Sequence, residues 1–424
     1  MNEDAAKPVG SRGALITSAV PGQPLPETRF GTAIFVLLSV VLVFSTVAFG
    51  AVDTGSTAIL SLVFAVVVIL WAADAWITGG IRFNGSLLQI PIAALLLIGL
   101  VQLLPLNGRG EITGILHTAP VSSLSLDPYA TRFFIVQLVY GLIFFAALLA
   151  FTNRSRLRKL VVAIIIFGSV MAFFGILQRL ADPSAIYGIR PTPQSIPFGP
   201  FVNQHHFAAF MEMTGGLTMG LLFGRSVARD KRIFLVLAMI VMGTAVVLTS
   251  SRGGMLSFSA MVVFAVMAGA RTGSKGRAHS ENDSGSSLRH RVGLAAAVSG
   301  IGFLILGTVL LVGGDRSLVR GLGFSSGDDF TSGRSHFWRV GWNIFLDNPI
   351  IGAGLDAFGV AYSRYDTAIG LYRVERAHND YLQILTDAGI LGFLCVAAFI
   401  FLLFRKSLNV VGTAHDRFRR GAAI

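Results

Sequence analysis

The sequence predicts an all-α fold: a polytopic helical membrane protein with about ten transmembrane helices and a long external segment between the last two. Three observations carry this reading. Hydrophobic residues make up 53% of the chain against 13% charged, and the mean hydropathy is +0.70, a balance that leaves too little polar surface for a water-soluble domain. Charge-free apolar runs of about 17–25 residues recur along the chain, the length a helix needs to cross roughly 30 Å of hydrocarbon. Lys and Arg collect in alternate connections between those runs.

In chain order, the runs place spans near 31–51, 55–76, 86–105, 132–151, 160–180, 206–224, 233–250, 254–270, 292–313 and 383–404. Residues 1–30 are polar and lack a short apolar core followed by a small-residue cleavage site, so they read as a cytoplasmic tail and not as a signal peptide. With that tail inside, Arg82, "RSRLRK" (154–159), "RSVARDKR" (225–232), the connection from Arg271 to Arg291 and the run from Arg405 to Arg420 all face the cytoplasm. The expected organisation is a transmembrane core of about nine helices over 31–313, a periplasmic domain with amphipathic helices over 314–382, and a last span with a basic cytoplasmic tail over 383–424.

The net charge of +12 is strung between spans, so membrane orientation accounts for it better than a nucleic-acid partner does. Cys395, the single cysteine, lies within an apolar run, which leaves no disulfide and no cysteine metal site. The connection "RTGSKGRAHSENDSGSSLRH" is Gly- and Ser-rich, a flexible linker in which His279 and His290 are solvated.

The other side holds 106–131, 181–205, the turn "TSSRGG" (249–254) and the long segment 314–382. In "SGRSHFWRVGWNIFLDNPIIGAG" (332–354), Phe337, Gly341, Ile344 and Phe345 recur at helical spacing, and Pro349 ends the run. That pattern suits an amphipathic helix on the outer leaflet. External arginines either snorkel to lipid phosphate or pair with a nearby carboxylate, the bland reading for Arg320, Arg364 and Arg373. Arg252 is different, because a turn between two adjacent spans holds its guanidinium at the membrane surface. Two following glycines let backbone approach, and the guanidinium can fork onto a phosphate.

His378 stands at the N-terminus of the last span, where the positive end of the helix dipole disfavours an imidazolium. A neutral imidazole there either takes a proton from a hydroxyl or merely caps the helix. "FGPFVNQHHFAAFMEM" (198–213) brings Asn203, His205 and His206 to the same lip. Adjacent histidines on a helix point about 100° apart and no carboxylate pattern accompanies them, so a metal site is not expected. Glu212 is the clearest ionisable residue within a span; such a residue faces the protein interior, and the bland reading is a hydrogen-bonded core contact.

Four stretches in order resemble the O-antigen ligases and polymerases of bacterial surface polysaccharide assembly: "FVNQHHFAAFMEM", "LTSSRGGML" (248–256), "TSGRSHFWRVGWNIFLDNPIIGAGLDAFGVAY" (331–362) and "AHNDYLQILTDAGILG" (377–392). The resemblance spans about residues 160–404. It implies a GT-C membrane glycosyltransferase that moves a glycan from an undecaprenyl-diphosphate carrier to a sugar hydroxyl, on the periplasmic face of the inner membrane, with no cofactor and no metal. By position, His378, Arg252 and Arg334 match the essential residues. Arg190, Asn203, His206, Arg339, Asn379 and Tyr381 are the implied substrate-binding set. Where this chain has His205 the family usually has Asn, which leaves the role of His205 open. The implied partners are the lipid-linked donor, a glycan acceptor and membrane lipid, with a chain-length regulator as a further candidate. Polymerisation of repeat units is the leading expectation. Ligation to lipid A core or to a protein is the alternative, and a transporter of lipid-linked sugars or a non-catalytic assembly scaffold is the reading from another class.

Overall fold

The computed structural model describes residues 25–106, 122–181, 184–193, 195–275, 334–367 and 374–424, together with 299, 300, 302, 305–307, 309 and 310. The chain is mostly helical. Its elements are α1 (Arg29–Val47), α2 (Thr54–Thr78), α3 (Gln89–Gln102), α4 (Pro128–Phe151), α5 (Arg154–Ala181), a small antiparallel hairpin of β1 (Ala185–Ile186) and β2 (Arg190–Pro191), α6 (Gln204–Phe223), α7 (Arg232–Leu248), α8 (Arg252–Lys275), α9 (Arg334–Asp347), α10 (Phe358–Tyr365), α11 (Asp380–Thr413) and α12 (Arg417–Ala422).

Among the described residues, six helices are long and apolar enough to cross a membrane: α1, α2, α4, α5, α7 with its leading turn from Arg229, and α11. The other expected spans fare differently. Residues 86–105 hold only the 14-residue α3, about 21 Å long and short of the hydrocarbon thickness. Residues 206–224 become α6, a 20-residue helix diluted by two histidines, Glu212, three glycines and two threonines. Residues 254–270 fall in α8, whose apolar part is Arg252–Ala268. The span expected over 292–313, the connection before it and most of the external segment up to Arg334 lie largely outside the described residues, as do residues 1–24 and Arg373.

Contacts sort the connections onto two ends. At one end Arg82 pairs with the buried Asp74 at 2.7 Å, Arg156 donates to Thr32 at 2.9 Å, Lys406 to Ser86 at 3.1 Å, and Arg154 binds Asp416 at 2.6 Å. The basic tail is folded here: Ser226 donates to the Arg417 carbonyl at 2.7 Å, and α12 lies so close to α6 that a Cβ on Gly220 would stand 2.2 Å from the Gly421 oxygen. The opposite end carries the β-hairpin, the start of α6, the α7–α8 turn and the start of α11. In the core between them, α5 meets α6 through Gly168, where a Cβ would fall 2.9 Å from Thr214. Met211, Met239 and Met242 fill the space that such close helices leave.

The last span is not one continuous helix. At Gly389 the backbone leaves helical geometry (φ 64°, ψ −162°), about 14 Å below the helix start. A break at that depth exposes backbone groups that no water can satisfy, and the loop 348–357 satisfies them. Ile390 and Leu391 donate to the carbonyls of Pro349 and Ile350 at 2.8 and 3.2 Å, while Ala353 and Gly354 donate to those of Thr386 and Asp387 at 2.8 and 3.1 Å. Each bond left unmade in a dry setting costs about 1–3 kcal/mol. Gln102 closes the far side. Its amide donates to the Ile351 and Asp387 carbonyls at 2.5 and 2.7 Å and accepts the Leu355 N–H at 2.9 Å. Thr131, on α4, donates to the Leu355 carbonyl at 2.9 Å. This explains the early end of α3: Gln102 is fully buried as a bracket for the loop.

Backbone packed on backbone leaves no room for side chains. A Cβ on Gly352 (φ +76°) would stand 2.4 Å from the Ala388 nitrogen, and one on Gly389 would stand 2.4 Å from the Ile350 carbonyl carbon. Gly352→Ala is therefore expected to lower stability in thermal unfolding of the detergent-solubilised protein, by about 2–3 kcal/mol. Gly55→Ala, at a helical glycine with nothing within 4 Å, is the control and should be neutral or stabilising. Equal unfolding temperatures for the two variants would contradict this account of the loop.

Candidate functional site

The α7–α8 turn is short because the chain reverses within three residues. Ser250 adopts a left-handed conformation (φ 56°), and the buried Ser251 caps α8 by accepting the Gly254 N–H at 3.1 Å. The same hydroxyl shares a hydrogen bond of 2.8 Å with Nδ1 of His205. Gly254 brings the turn against α6, since a Cβ there would fall 2.7 Å from that of Ala208. Arg252 is thus the first residue of a helix pinned to the first turn of α6, half-buried and engaged with its surroundings.

Asn203 caps α6 by accepting the His205 N–H at 2.8 Å, which fixes the direction of both following histidines. The loop before it is anchored by packed rings: the centroids of Phe198 and Phe207 lie 4.7 Å apart at a tilt of 43°, and Gly199 (φ +55°) lies against Phe207. His205 is half-buried and His206 exposed.

The third contribution comes from α9 and the start of α11. Val340, Gly341 and Ile344 form the buried stripe of α9, and Gly341 seats the helix on Leu382 of α11. Asn379 caps α11, accepting the N–H groups of Tyr381 and Leu382 at 3.1 and 3.3 Å. The cap is thus Asn379, and His378 precedes it in a left-handed conformation (φ 52°), which costs a side-chain-bearing residue about 1–2 kcal/mol. The Trp338 indole donates to the Ala377 carbonyl at 3.1 Å, and the Phe337 ring lies 6.2 Å from that of His378. On the other flank of α9, His336 bonds Asp366 at 2.9 Å and Tyr362 bonds the same carboxylate, with burial foremost in pushing the phenol up to about 12.

Arg334, the first residue of α9, unites these parts, because its charge acts on both His205 and His378. Burial first, then Arg334 and His206, hold the His378 imidazole below the ordinary 6.5, so it is neutral at pH 7. The end of the bundle therefore gathers two cations, Arg252 and Arg334, around three histidines. It has the charge to meet an anion and, in His378, an uncharged nitrogen able to accept a proton.

The remaining expected residues sit as follows. Arg190 forks onto Asp53, with one arm at 2.9 Å, and lies over the Phe49 ring at 4.6 Å; it would have to give up part of that pairing to hold a phosphate. Arg339 and Tyr381 are exposed, and Glu212 lies about two turns down α6 on the same side as His205. The oxygens of Asn203 and Asn379 are committed to capping, which leaves their amide N–H groups for a ligand. Ser251, and a defined place for His205, were not foreseen from sequence. The available signal was "SSRGG" as a capping serine followed three residues on by a glycine small enough for helix contact.

Comparison with known proteins completes the picture. No curated protein matches the chain. The match to a family model covers three of the four motifs and leaves the "NQHHFA" stretch and Arg190 upstream of it. Residues 237–397, which hold Arg252, Arg334 and His378, match the model of the O-antigen ligase family, so this part of the chain is similar to that family.

Proposed function

We propose that the protein polymerises undecaprenyl-diphosphate-linked oligosaccharide repeat units into O-antigen or exopolysaccharide, on the periplasmic face of the bacterial inner membrane. The observation that supports it is the convergence of Arg334, His205, His206, His378 and the Ser251–Arg252 turn at the end of the bundle opposite the basic connections. By the bias of basic residues toward the cytoplasm, that end faces outward. Lipid-linked donors present a diphosphate at the membrane surface, where Arg252 and Arg334 stand. As the anomeric C–O bond breaks, charge develops on the departing diphosphate, and preorganised guanidinium groups stabilise it with no nucleotide sugar or metal. His378 takes the proton of the attacking sugar hydroxyl, and a single displacement inverts the anomeric centre. Asn379 and Tyr381 border the acceptor side, while Arg190, Asn203, His206 and Arg339 extend the surface that meets the diphosphate and the sugars.

Ligation of a finished glycan to lipid A core or to a protein is the second reading, and the description of the matched family favours it. The chemistry at the anomeric carbon is the same, with another acceptor. The break at Gly389 is a feature that a transporter would use, but here loop 348–357 meets it with backbone hydrogen bonds.

Incubation of the purified protein in nanodiscs with undecaprenyl-diphosphate-linked repeat units should give a ladder of glycan lengths on a gel. His378→Ala is expected to lower turnover by about 10²–10⁴-fold, and Arg252→Lys, which cannot fork onto a phosphate, by about 10²-fold. Wild-type ladders from both variants would overturn the site assignment. A folded wild-type protein that forms no ladder, yet joins glycan to added lipid A core, would establish the ligase reading.

The acid limb of the pH–rate profile should lie below 6.5, since the neutral imidazole is the active form and its pKa is depressed. Arg334→Gln removes one of the charges responsible, so it should move that limb upward as well as slow the reaction. A limb that stays put in Arg334→Gln would show that the titrating group is not His378.

A further inference from the structure

We propose that Gln383 and Asp387 are positioning residues that hold His378 in its working orientation. The proposal rests on His378 being the group that takes the proton. Ala377, fully buried, is gripped on both faces of its backbone: its N–H donates to Gln383 Oε1 at 2.8 Å and its carbonyl accepts from Trp338 at 3.1 Å. The next residue is His378, whose left-handed backbone persists only because its neighbours dictate it.

The Gln383 amide can serve Ala377 only if its oxygen points there. Asp387 decides that, because its Oδ2 accepts the Gln383 amide N–H at 2.9 Å, one helical turn along the same face of α11. With the amide reversed, nitrogen would face the Ala377 N–H and oxygen would face the carboxylate, so both bonds would be lost. Asp387 is itself held by the Asp356 N–H at 3.3 Å and sits in the helix break, while its Oδ1 has no partner among the described residues. Arg376 pairs with Asp356 beside it. An unbroken line of hydrogen bonds thus runs from the buried break to the peptide preceding His378. A reacting group misplaced by about 1 Å can cost on the order of 10²-fold in rate, which is what this line prevents.

The test uses the full-length protein in nanodiscs and two readouts. One is the rate at which diethyl pyrocarbonate acylates His378, followed by peptide mass spectrometry with His415 as internal reference. The other is kcat and KM with undecaprenyl-diphosphate-linked repeat units. Gln383→Leu should shift the His378 acylation rate severalfold while His415 is unchanged, and lower kcat by about 10–100-fold with KM little altered. Asp387→Asn keeps an oxygen for Gln383 and should stay near wild type in both readouts.

An unchanged His378 rate in Gln383→Leu, a shift shared equally by His415, or a loss confined to KM overturns the proposal. So does an Asp387→Asn variant as impaired as Gln383→Leu, since charge and not the hydrogen-bond line would then be what matters. If His378→Ala retains turnover, it is the assignment of His378 as base that fails. The acylation rates still decide whether Gln383 and Asp387 position it.

Discussion

The fold at the candidate site depends on one backbone-to-backbone clasp, the pairing of loop 348–357 with the break in the last helix. Four main-chain hydrogen bonds join Pro349, Ile350, Ala353 and Gly354 to residues 386–391, and Gly352 and Gly389 make the approach possible. Irregular backbone at that depth is tolerated only when buried and satisfied, and here each strand of the clasp satisfies the other. The clasp, the seat of Gly341 on Leu382 and the Trp338–Ala377 hydrogen bond together fix how α9 and α11 lie against each other. Arg334 begins one of those helices and His378 precedes the other, so their separation follows from these contacts.

The site is accordingly a junction of two rigid halves. One is the α6–α7–α8 core, where Ser251 ties the α7–α8 turn to His205 and Gly254 removes the bulk that would hold the helices apart. The other is α9, the loop and α11, braced from below by Gln102 and Thr131. The charge on Arg334 bridges the halves, acting on His205 in the first and on His378 in the second. For the proposed transfer this division is useful: cations that receive the diphosphate come from both halves, while the proton acceptor is held by one alone.

Much of this was legible in the sequence because lipid imposes strong patterns. The six long apolar helices follow from hydrocarbon thickness, the gathering of basic connections at one end follows from charge, and α9 follows from the spacing of Phe337, Gly341, Ile344 and Phe345. What was not legible arose from tertiary contacts with no periodic signature. A full span was expected over 86–105, yet Gln102 within it is a bracket that stops α3 early. Gly389 sits in an apolar run and carries no local sign that the helix opens there, because the residues that complete it are some forty positions upstream. The tail after Arg405 read only as basic, and its docking through Asp416 and the glycines of α6 and α12 carries no periodic signal. At the site, His378, Arg252 and Arg334 stood out by residue type and place, whereas Ser251 and Gln383 serve through geometry alone.

Hydrogen–deuterium exchange of the nanodisc-embedded protein, followed by mass spectrometry of peptides covering 348–357 and 377–391, addresses the clasp most directly. The clasp predicts that the amides of Gly352, Ala353 and Gly354, and those of Ile390 and Leu391 facing them, exchange as slowly as the interior of α11, because each is paired with a carbonyl. Rapid exchange there, at the rate of an open loop, would mean that the clasp is not a standing feature of the fold and that the site is held together in some other way.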